Sequence, residues 1–338
     1  MNEGAILISS AETLPFLMAL YGWGIGVIRI IQRIANPALT VCMKAATSLG
    51  TEYVYMLAVL LIFWCVDEKK GFRLGLLIII SAWINLTLKS LFDQPRPFEL
   101  EPALGLAYEP SRAFPSGHAQ VSLTFLIALA FHLAKGKKFQ PLIWTAAVFL
   151  ILLIGFTRLY LGVHFPTDVL GGWIIGGLVL ALFYATEKQG SKLLENAGKR
   201  PQLIAAAAAA LIMNALHPAD KSLGAMLLGF CAGYSLMLQG FLFCAQGEVA
   251  GKKPGIQVLL PRFFVGFAGA AVVYQGLRFI LPGADSLFSG IPILEGFYEL
   301  GRFIRYCLLG FWASAGAPWV FIRLGFASFA EPASPEKP

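Results

Sequence analysis

The sequence predicts an all-α fold, a polytopic transmembrane helical bundle, and two observations carry that expectation. Hydrophobic residues make up 57% of the 338-residue chain and charged residues only 13%, against about 25% charged in soluble globular domains. Several apolar runs also approach the ~20 residues that a membrane-crossing helix needs, and the mean hydropathy is +0.71. A formal net charge of +7 would suit nucleic acid, but the basic residues fall mostly in short loops between apolar runs. There they meet anionic lipid head groups, so membrane lipids and no nucleic acid are the expected partners. Cys42, Cys65, Cys231, Cys244 and Cys307 show no CxxC or Cys/His ligand spacing. Neither a zinc site nor a disulfide framework is expected of them. The opening MNEGAILISS lacks a basic n-region, so no cleavable signal peptide is expected.

In chain order, residues 1–50 are expected to hold N-terminal interfacial helices. The stretch 13–48 is apolar but broken by Gly22, Gly24, Gly26 and Pro37, with Arg29 and Arg33 four apart. A spanning segment over 13–31 is the alternative. Spans follow at about 52–66, 73–92, 116–135, 141–159 and 167–187, which makes 51–187 one core region. The polar stretch EKQGSKLLENAGKR leads into a cytoplasmic linker, 188–201. Four more spans, at about 202–217, 223–245, 259–281 and 297–320, make up an additional region over 202–325, and a tail covers 326–338. The alanine run Ala205–Ala210 reads as a small-residue face for close helix packing. Glu299 and Arg302 are spaced to pair on one helix face, near Arg278 and Arg305.

Loop charge sets the orientation. Lys69, Lys70 and Arg73, then Lys135, Lys137 and Lys138, then Lys188, Lys192, Lys199 and Arg200, then Lys252 and Lys253 form one set. The opposite loops (93–115, 160–166, 218–222 and 282–296) are poor in Lys and Arg beyond the candidate site residues. The positive-inside rule makes the first set cytoplasmic. Three distinctive segments then share the extracytoplasmic face.

The first is KSLFDQPRP, with Lys89 and Arg96; the second is Pro115-Ser116-Gly117-His118, opening a span. The third is GFTRLYLGVHFPTDVLGGW, which places Arg158, His164 and Asp168 between two apolar runs. Charges there would cost roughly 2.5–3.5 kcal/mol each at a helix centre. Gathering them around an anion at a membrane face reduces the penalty. If a helix starts at Pro166, His164 and Asp168 lie about one turn apart, so the carboxylate can orient the imidazole. An oriented neutral imidazole is a good nucleophile or base. Ser116 and Gly117 suit a helix start whose free N–H groups favour an anion. Three cationic donors, a helix N-terminus, two histidines and a carboxylate can hold a phosphate, attack it and protonate its leaving group. No Walker loop and no carboxylate cluster for magnesium is present, so no metal and no cofactor is expected. His132 and His217 lack such context and read as structural.

These motifs closely resemble the type-2 phosphatidic acid phosphatase superfamily, whose pattern is Lys-x6-Arg-Pro, Pro-Ser-Gly-His and Ser-Arg-x5-His-x3-Asp. Here they read Lys89 to Pro97, Pro115 to His118 and Arg158 to Asp168, with Thr157 in the serine position. The resemblance covers roughly residues 50–187. It implies that His164 is the nucleophile, forming a phosphohistidine, with Asp168 fixing its tautomer. His118 would protonate the leaving group and then activate water. Lys89, Arg96 and Arg158 would bind phosphoryl oxygens, helped by Ser116 and the backbone N–H of Gly117. The expected nine-span layout looks like glucose-6-phosphatase of the same superfamily.

The expected activity is therefore an integral membrane phosphatase acting on the phosphomonoester or diphosphate groups of lipids. The site would lie on the outer face of a bacterial inner membrane, or in the ER lumen of a eukaryote. A soluble sugar phosphate as substrate, or phosphotransfer to another lipid, remains open. From another class, a transporter or membrane scaffold would show paired broken helices in two related halves, and no convincing internal repeat is visible.

Overall fold

A computed structural model of the chain describes residues 13–134, 136–241, 243–249, 251–281 and 297–328. The segment considered for a signal peptide (up to residue 12), the loop 282–296 and most of the tail, 329–338, lie outside the described residues. The described chain is helical, with a single isolated bridge between Val249 and Lys252. Its helices are α1 (Thr13–Gln32), α2 (Pro37–Ser48), α3 (Glu52–Cys65), α4 (Glu68–Phe92), the single-turn α5 (Pro97–Leu100), α6 (Gly117–Ala134) and α7 (Gln140–Tyr160). They continue with α8 (Pro166–Ala197), α9 (Lys199–Leu216), α10 (Ser222–Gly240), α11 (Ile256–Ile280), α12 (Tyr298–Phe311) and α13 (Ala317–Arg323).

Six described helices are long and apolar enough to cross a membrane, or seven if the bent pair α2–α3 counts as one span. Nine were expected. The difference lies in four segments. α3 qualifies only together with α2, and α10 offers a shorter apolar stretch, Ser222–Leu238. α9 opens on Lys199 and Arg200 and relies on weakly hydrophobic alanines. The run 297–320 is divided by a π-helical turn, Trp312–Gly316, between α12 and α13. At the N-terminus, Pro15–Gln32 of α1 is long and apolar enough to cross a membrane, as the alternative to an interfacial helix requires. The polar stretch 188–201 is not a loop: α8 runs through it to Ala197, and Gly198 at φ +75° makes the break before α9. Its Glu, Lys, Gln and Leu residues are good helix formers.

The chain divides into two compact units. One comprises residues 1–55 and 80–184, the other 56–79 and 185–338. In the second unit α10 packs on α9 and α12. The close approach is made by glycines: a Cβ on Gly229 would overlap the Cys307 carbonyl, and one on Gly310 would come 2.5 Å from the Met226 carbonyl oxygen. Small residues four apart, Gly229 and Gly233, let the backbones meet. The buried Arg262 donates to the carbonyls of Ala245 (2.6 Å), Phe326 (2.9 Å) and Trp64 (3.1 Å), joining the ends of separate segments. The anticipated Glu299–Arg302 pair does not form. Arg302 donates to Asp220 at 2.8 Å, since the α9–α10 turn brings a carboxylate to its tip. All five cysteines are unpaired.

In the first unit α7 packs against α1, α2 and α6. A polar ladder inside the unit joins α4 to α6. Asn85 donates to Gln120 (2.9 Å) and to the Pro115 carbonyl (3.2 Å), and Gln120 donates to the Ser81 carbonyl (2.8 Å). Such groups are expensive to bury unless satisfied. Here they fix the entry of α6, where Pro115 leads into Ser116 and Gly117. Gly172 and Gly176 of α8 approach the same helix closely, where Cβ atoms would lie 2.6 and 2.7 Å from the carbonyls of Ser116 and Gln120.

Candidate active site

The first unit brings all eight sequence-predicted site residues to one end. Lys89 lies in the last turn of α4, and Arg96 immediately precedes α5, where Pro97 suits the first helical position. Ser116 leads into α6, Gly117 and His118 open it, Arg158 is in the last turn of α7, His164 is in the turn 161–165, and Asp168 is in the first turn of α8. Arg96 (1% exposed), Arg158 (2%), His164 (1%) and Asp168 (0%) are buried, while His118 is half-buried.

The turn before His164 depends on Gly162, whose φ of +68° is unfavourable for an L side chain, and whose added Cβ would overlap the Leu104 carbonyl. Leu106 N–H donates to the Leu161 carbonyl (3.1 Å), tying the turn to the loop after α5. The N-terminal helices brace it further. Gln32 donates to the carbonyls of Leu104 (2.8 Å) and Tyr160 (2.9 Å), and Tyr21 stacks on Phe165 with ring centroids 5.0 Å apart. We predict that Gly162→Ala costs at least about 1–2 kcal/mol from the backbone alone, with turnover falling as the turn shifts. Thermal unfolding and phosphate release in the same detergent check it.

His164 sits between a carboxylate and a guanidinium. Its Nδ1 lies 3.3 Å from Asp168 Oδ2, which also accepts the Phe165 N–H at 2.7 Å. Its Nε2 lies 3.2 Å from Arg96 Nη1. A guanidinium only donates, so Nε2 must present its lone pair and the ring proton must be on Nδ1, facing Asp168. This assigns the tautomer from the hydrogen-bond network. Burial, reinforced by Arg96, Lys89, Arg158 and His118, pushes the His164 imidazole well below its ordinary 6.5. The ring stays neutral where a free histidine is charged. We predict that ¹⁵N-histidine spectra of the membrane-embedded protein show a neutral, Nδ1-protonated His164 at pH 6, where an unshifted ring would be only about a quarter neutral. His164→Gln assigns the signal; a ring titrating at 6.5 or above contradicts the geometry.

The other predicted residues converge on this imidazole. Arg96 Nη1 also donates to the Val163 carbonyl (2.7 Å), and its remaining N–H groups go to Ser111 and the Arg112 carbonyl. Lys89 Nζ donates to the carbonyls of Arg112 and Ala113. His118 is near enough to act electrostatically on His164, and feels Arg158, Arg96 and Lys89. Ser116 links two of the motifs. Its N–H donates to the Asp168 carbonyl (3.0 Å) and its Oγ accepts from Ala119 N–H (3.4 Å), so it locks the second motif to the third and caps α6. Gly117 and His118 lie in the first turn of α6, whose amides lack intrahelical partners. Thr157 donates its hydroxyl to the Ile154 carbonyl at 2.6 Å within its own helix. Among the described residues no group of three or more His, Cys, Asp and Glu is placed to hold a metal ion.

The two side chains that hold Arg158 were not anticipated. Arg158 Nη2 donates to Glu109 Oε1 (2.5 Å) and its Nη1 donates to Thr47 Oγ1 (2.8 Å). A buried arginine demands a counter-charge, but Asp93 lies within the first motif and Glu99, Glu101 and Glu109 lie between the first two, and spacing does not choose among these four carboxylates.

This geometry agrees with what the chain is similar to. Residues 70–191 match the PAP2 superfamily, and residues 221–329 match a PAP2 superfamily phosphatase transmembrane extension. Phosphatidylglycerophosphatase B of Bacillus subtilis is 31% identical over 157 residues, 44% of this chain and 75% of that one. An undecaprenyl-diphosphatase of Sulfolobus acidocaldarius is 29% identical over 50% of this chain and 81% of its own length. The crystal structure of a transmembrane PAP2 type phosphatidylglycerolphosphate phosphatase from Bacillus subtilis is 26% identical, covers 53% of this chain and 96% of that chain, and has a TM-score of 0.42. With the motifs, their convergence and these relatives together, the chain belongs to the PAP2 superfamily, as an integral-membrane phosphoric ester hydrolase.

Proposed function

We propose that the protein removes the terminal phosphoryl group from membrane lipid phosphates or diphosphates through a phosphohistidine on His164. The observation that carries this reading is the environment of one atom, Nε2 of His164. Its lone pair faces Arg96 at 3.2 Å while the opposite ring nitrogen is held by Asp168. Undecaprenyl diphosphate, phosphatidylglycerophosphate and sphingosine 1-phosphate are the substrates named for relatives, and all place a terminal phosphate on an embedded tail.

The proposed chemistry has two steps. Nε2 attacks phosphorus in line with the leaving oxygen; the P–O bond breaks, and the His118 imidazolium gives its proton to that oxygen. Neutral His118 then takes a proton from water, whose oxygen attacks phosphorus. The P–N bond breaks, its electron pair returns to Nε2, and phosphate leaves with His118 protonated again. Lys89, Arg96, Arg158 and the first-turn amides of α6 stabilise charge on the equatorial oxygens. The loop charge pattern supports an extracytoplasmic site. Residues 51–187 would be the catalytic region and 202–325 an accessory one.

Phosphate release from a panel of lipid monophosphates, lipid diphosphates and soluble sugar phosphates, without added magnesium and with vanadate as inhibitor, tests the reading. Lipid phosphates are expected to be cleaved and sugar phosphates spared. Activity confined to sugar phosphates reverses the substrate class, and no release from any member overturns the function.

A further inference from the structure

Every cation of the site already has an occupant, and one loop supplies most of them. Residues 109–113, Glu-Pro-Ser-Arg-Ala, place the Glu109 carboxylate on Arg158, Ser111 and the Arg112 carbonyl on Arg96, and the carbonyls of Arg112 and Ala113 on Lys89. The loop is pinned from outside. Arg112 pairs with Asp93 at 2.5 Å, and the Ala113 N–H donates to the Gln94 carbonyl at 3.1 Å. Glu109 is the charged occupant among these. It is also near enough to act on Lys89 and Arg96 as well as on Arg158.

The pairing uses half of a fork. Nη2 and Nε share the edge of a guanidinium that grips an oxyanion in bidentate fashion. On Arg158, Nη2 is taken by Glu109, while Nε is buried with no hydrogen-bond partner. Nη1 is already held by Thr47. An incoming phosphoryl group therefore completes this edge only when the Glu109 carboxylate leaves it.

Resting on the phosphatase reading above, we propose that Glu109 is a resident carboxylate that substrate must displace, and that it selects phosphomonoester dianions over the phosphodiesters of bulk membrane lipid. The argument is one of charge. Setting aside the His118 proton that passes to the leaving oxygen, Lys89, Arg96 and Arg158 formally carry three positive charges, and Asp168 beside His164 offsets one. A dianion matches the remainder, whereas Glu109 supplies one negative charge. A monoester or terminal diphosphate brings a second charge and completes the Arg158 edge, so the exchange is favourable. A phosphodiester merely trades one monoanion for another, with esterified oxygens that accept hydrogen bonds poorly. The site faces a membrane in which diesters far outnumber substrate, so this exclusion acts where competition is greatest.

The test compares wild type, Glu109→Gln and Glu109→Asp as purified full-length proteins in mixed micelles. Competitive inhibition of phosphate release is measured with phosphatidylglycerol, a diester, and with inorganic phosphate. Glu109→Gln is expected to bind phosphatidylglycerol at least about tenfold more tightly than wild type, with Glu109→Asp between them because its shorter carboxylate holds Nη2 less firmly. Equal diester inhibition in all three overturns the proposal. If a variant turns over too slowly, calorimetric titration with the same two probes replaces inhibition. If Glu109→Gln does not fold, Glu109→Asp against wild type decides alone. A wild type that releases no phosphate from any substrate defeats the phosphatase reading instead. An active wild type with unchanged diester affinity in the variants defeats only the role of Glu109.

Discussion

His164→Ala abolishes phosphate release, lowering kcat by at least about four orders of magnitude, the scale seen when a covalent nucleophile is removed. A smaller loss, of about 10²-fold or less, would mean that water attacks phosphorus directly and that His164 only binds. The distinction can be made chemically. Wild type quenched during turnover with a ³²P-labelled lipid phosphate should carry acid-labile, base-stable label on the protein, and His164→Ala should carry none. The substitution should leave the fold intact, because the neighbouring contacts do not depend on the ring. Arg96 retains the Val163 carbonyl and Ser111, and Asp168 retains the Phe165 N–H. Gel-filtration behaviour and affinity for inorganic phosphate matching wild type within a few fold would establish that chemistry, rather than binding, was lost.

Much of this site is legible in the amino-acid sequence because charge in an apolar chain has few explanations. Arg158, His164 and Asp168 interrupt runs that otherwise cross a membrane, and such an interruption calls for a compensating ligand or partner. The four-residue step from His164 to Asp168 across Pro166 predicts their 3.3 Å approach. What spacing does not disclose is pairing between distant segments. Thr47 and Glu109 join Arg158 across 111 and 49 residues, and no local periodicity encodes that. Ser116 shows a different limit. A serine at a helix start near an anion site reads as a phosphate ligand, but spacing does not disclose that its amide donates to the Asp168 carbonyl while its Oγ accepts from the Ala119 N–H. The span count differs for another reason. Apolar runs mark candidate segments, but α9 opens on Lys199 and Arg200 and relies on weakly hydrophobic alanines, and a π-helical turn, Trp312–Gly316, divides the run 297–320.

His118→Ala should separate the two steps that the proposed mechanism joins. With an alkyl leaving group the variant lacks the acid for the first step and the base for the second, so turnover falls by about 10²–10⁴-fold. A p-nitrophenyl phosphate or a diphosphate changes the balance, because its leaving oxygen departs with little help from a proton. Phosphorylation of His164 then proceeds while attack by water remains slow, and label should accumulate on the protein to near one equivalent. A burst of p-nitrophenol followed by slow steady release is the kinetic counterpart. His164→Ala shows neither burst nor label, so the pair of variants orders the steps. The electrostatic proximity of His118 to His164 and to all three cations makes this dual role possible for one ring. If His118→Ala hydrolyses alkyl and p-nitrophenyl phosphates with equal loss and accumulates no label, His118 does not transfer the leaving-group proton. The acid must then be sought elsewhere in the first unit. Gly50 offers an independent approach, since a Cβ there would lie 3.1 Å from His118 Cδ2 and 2.6 Å from Ile154 Cγ2. Gly50→Ala therefore displaces the ring without changing its chemistry, and should lower the same two steps together rather than separate them.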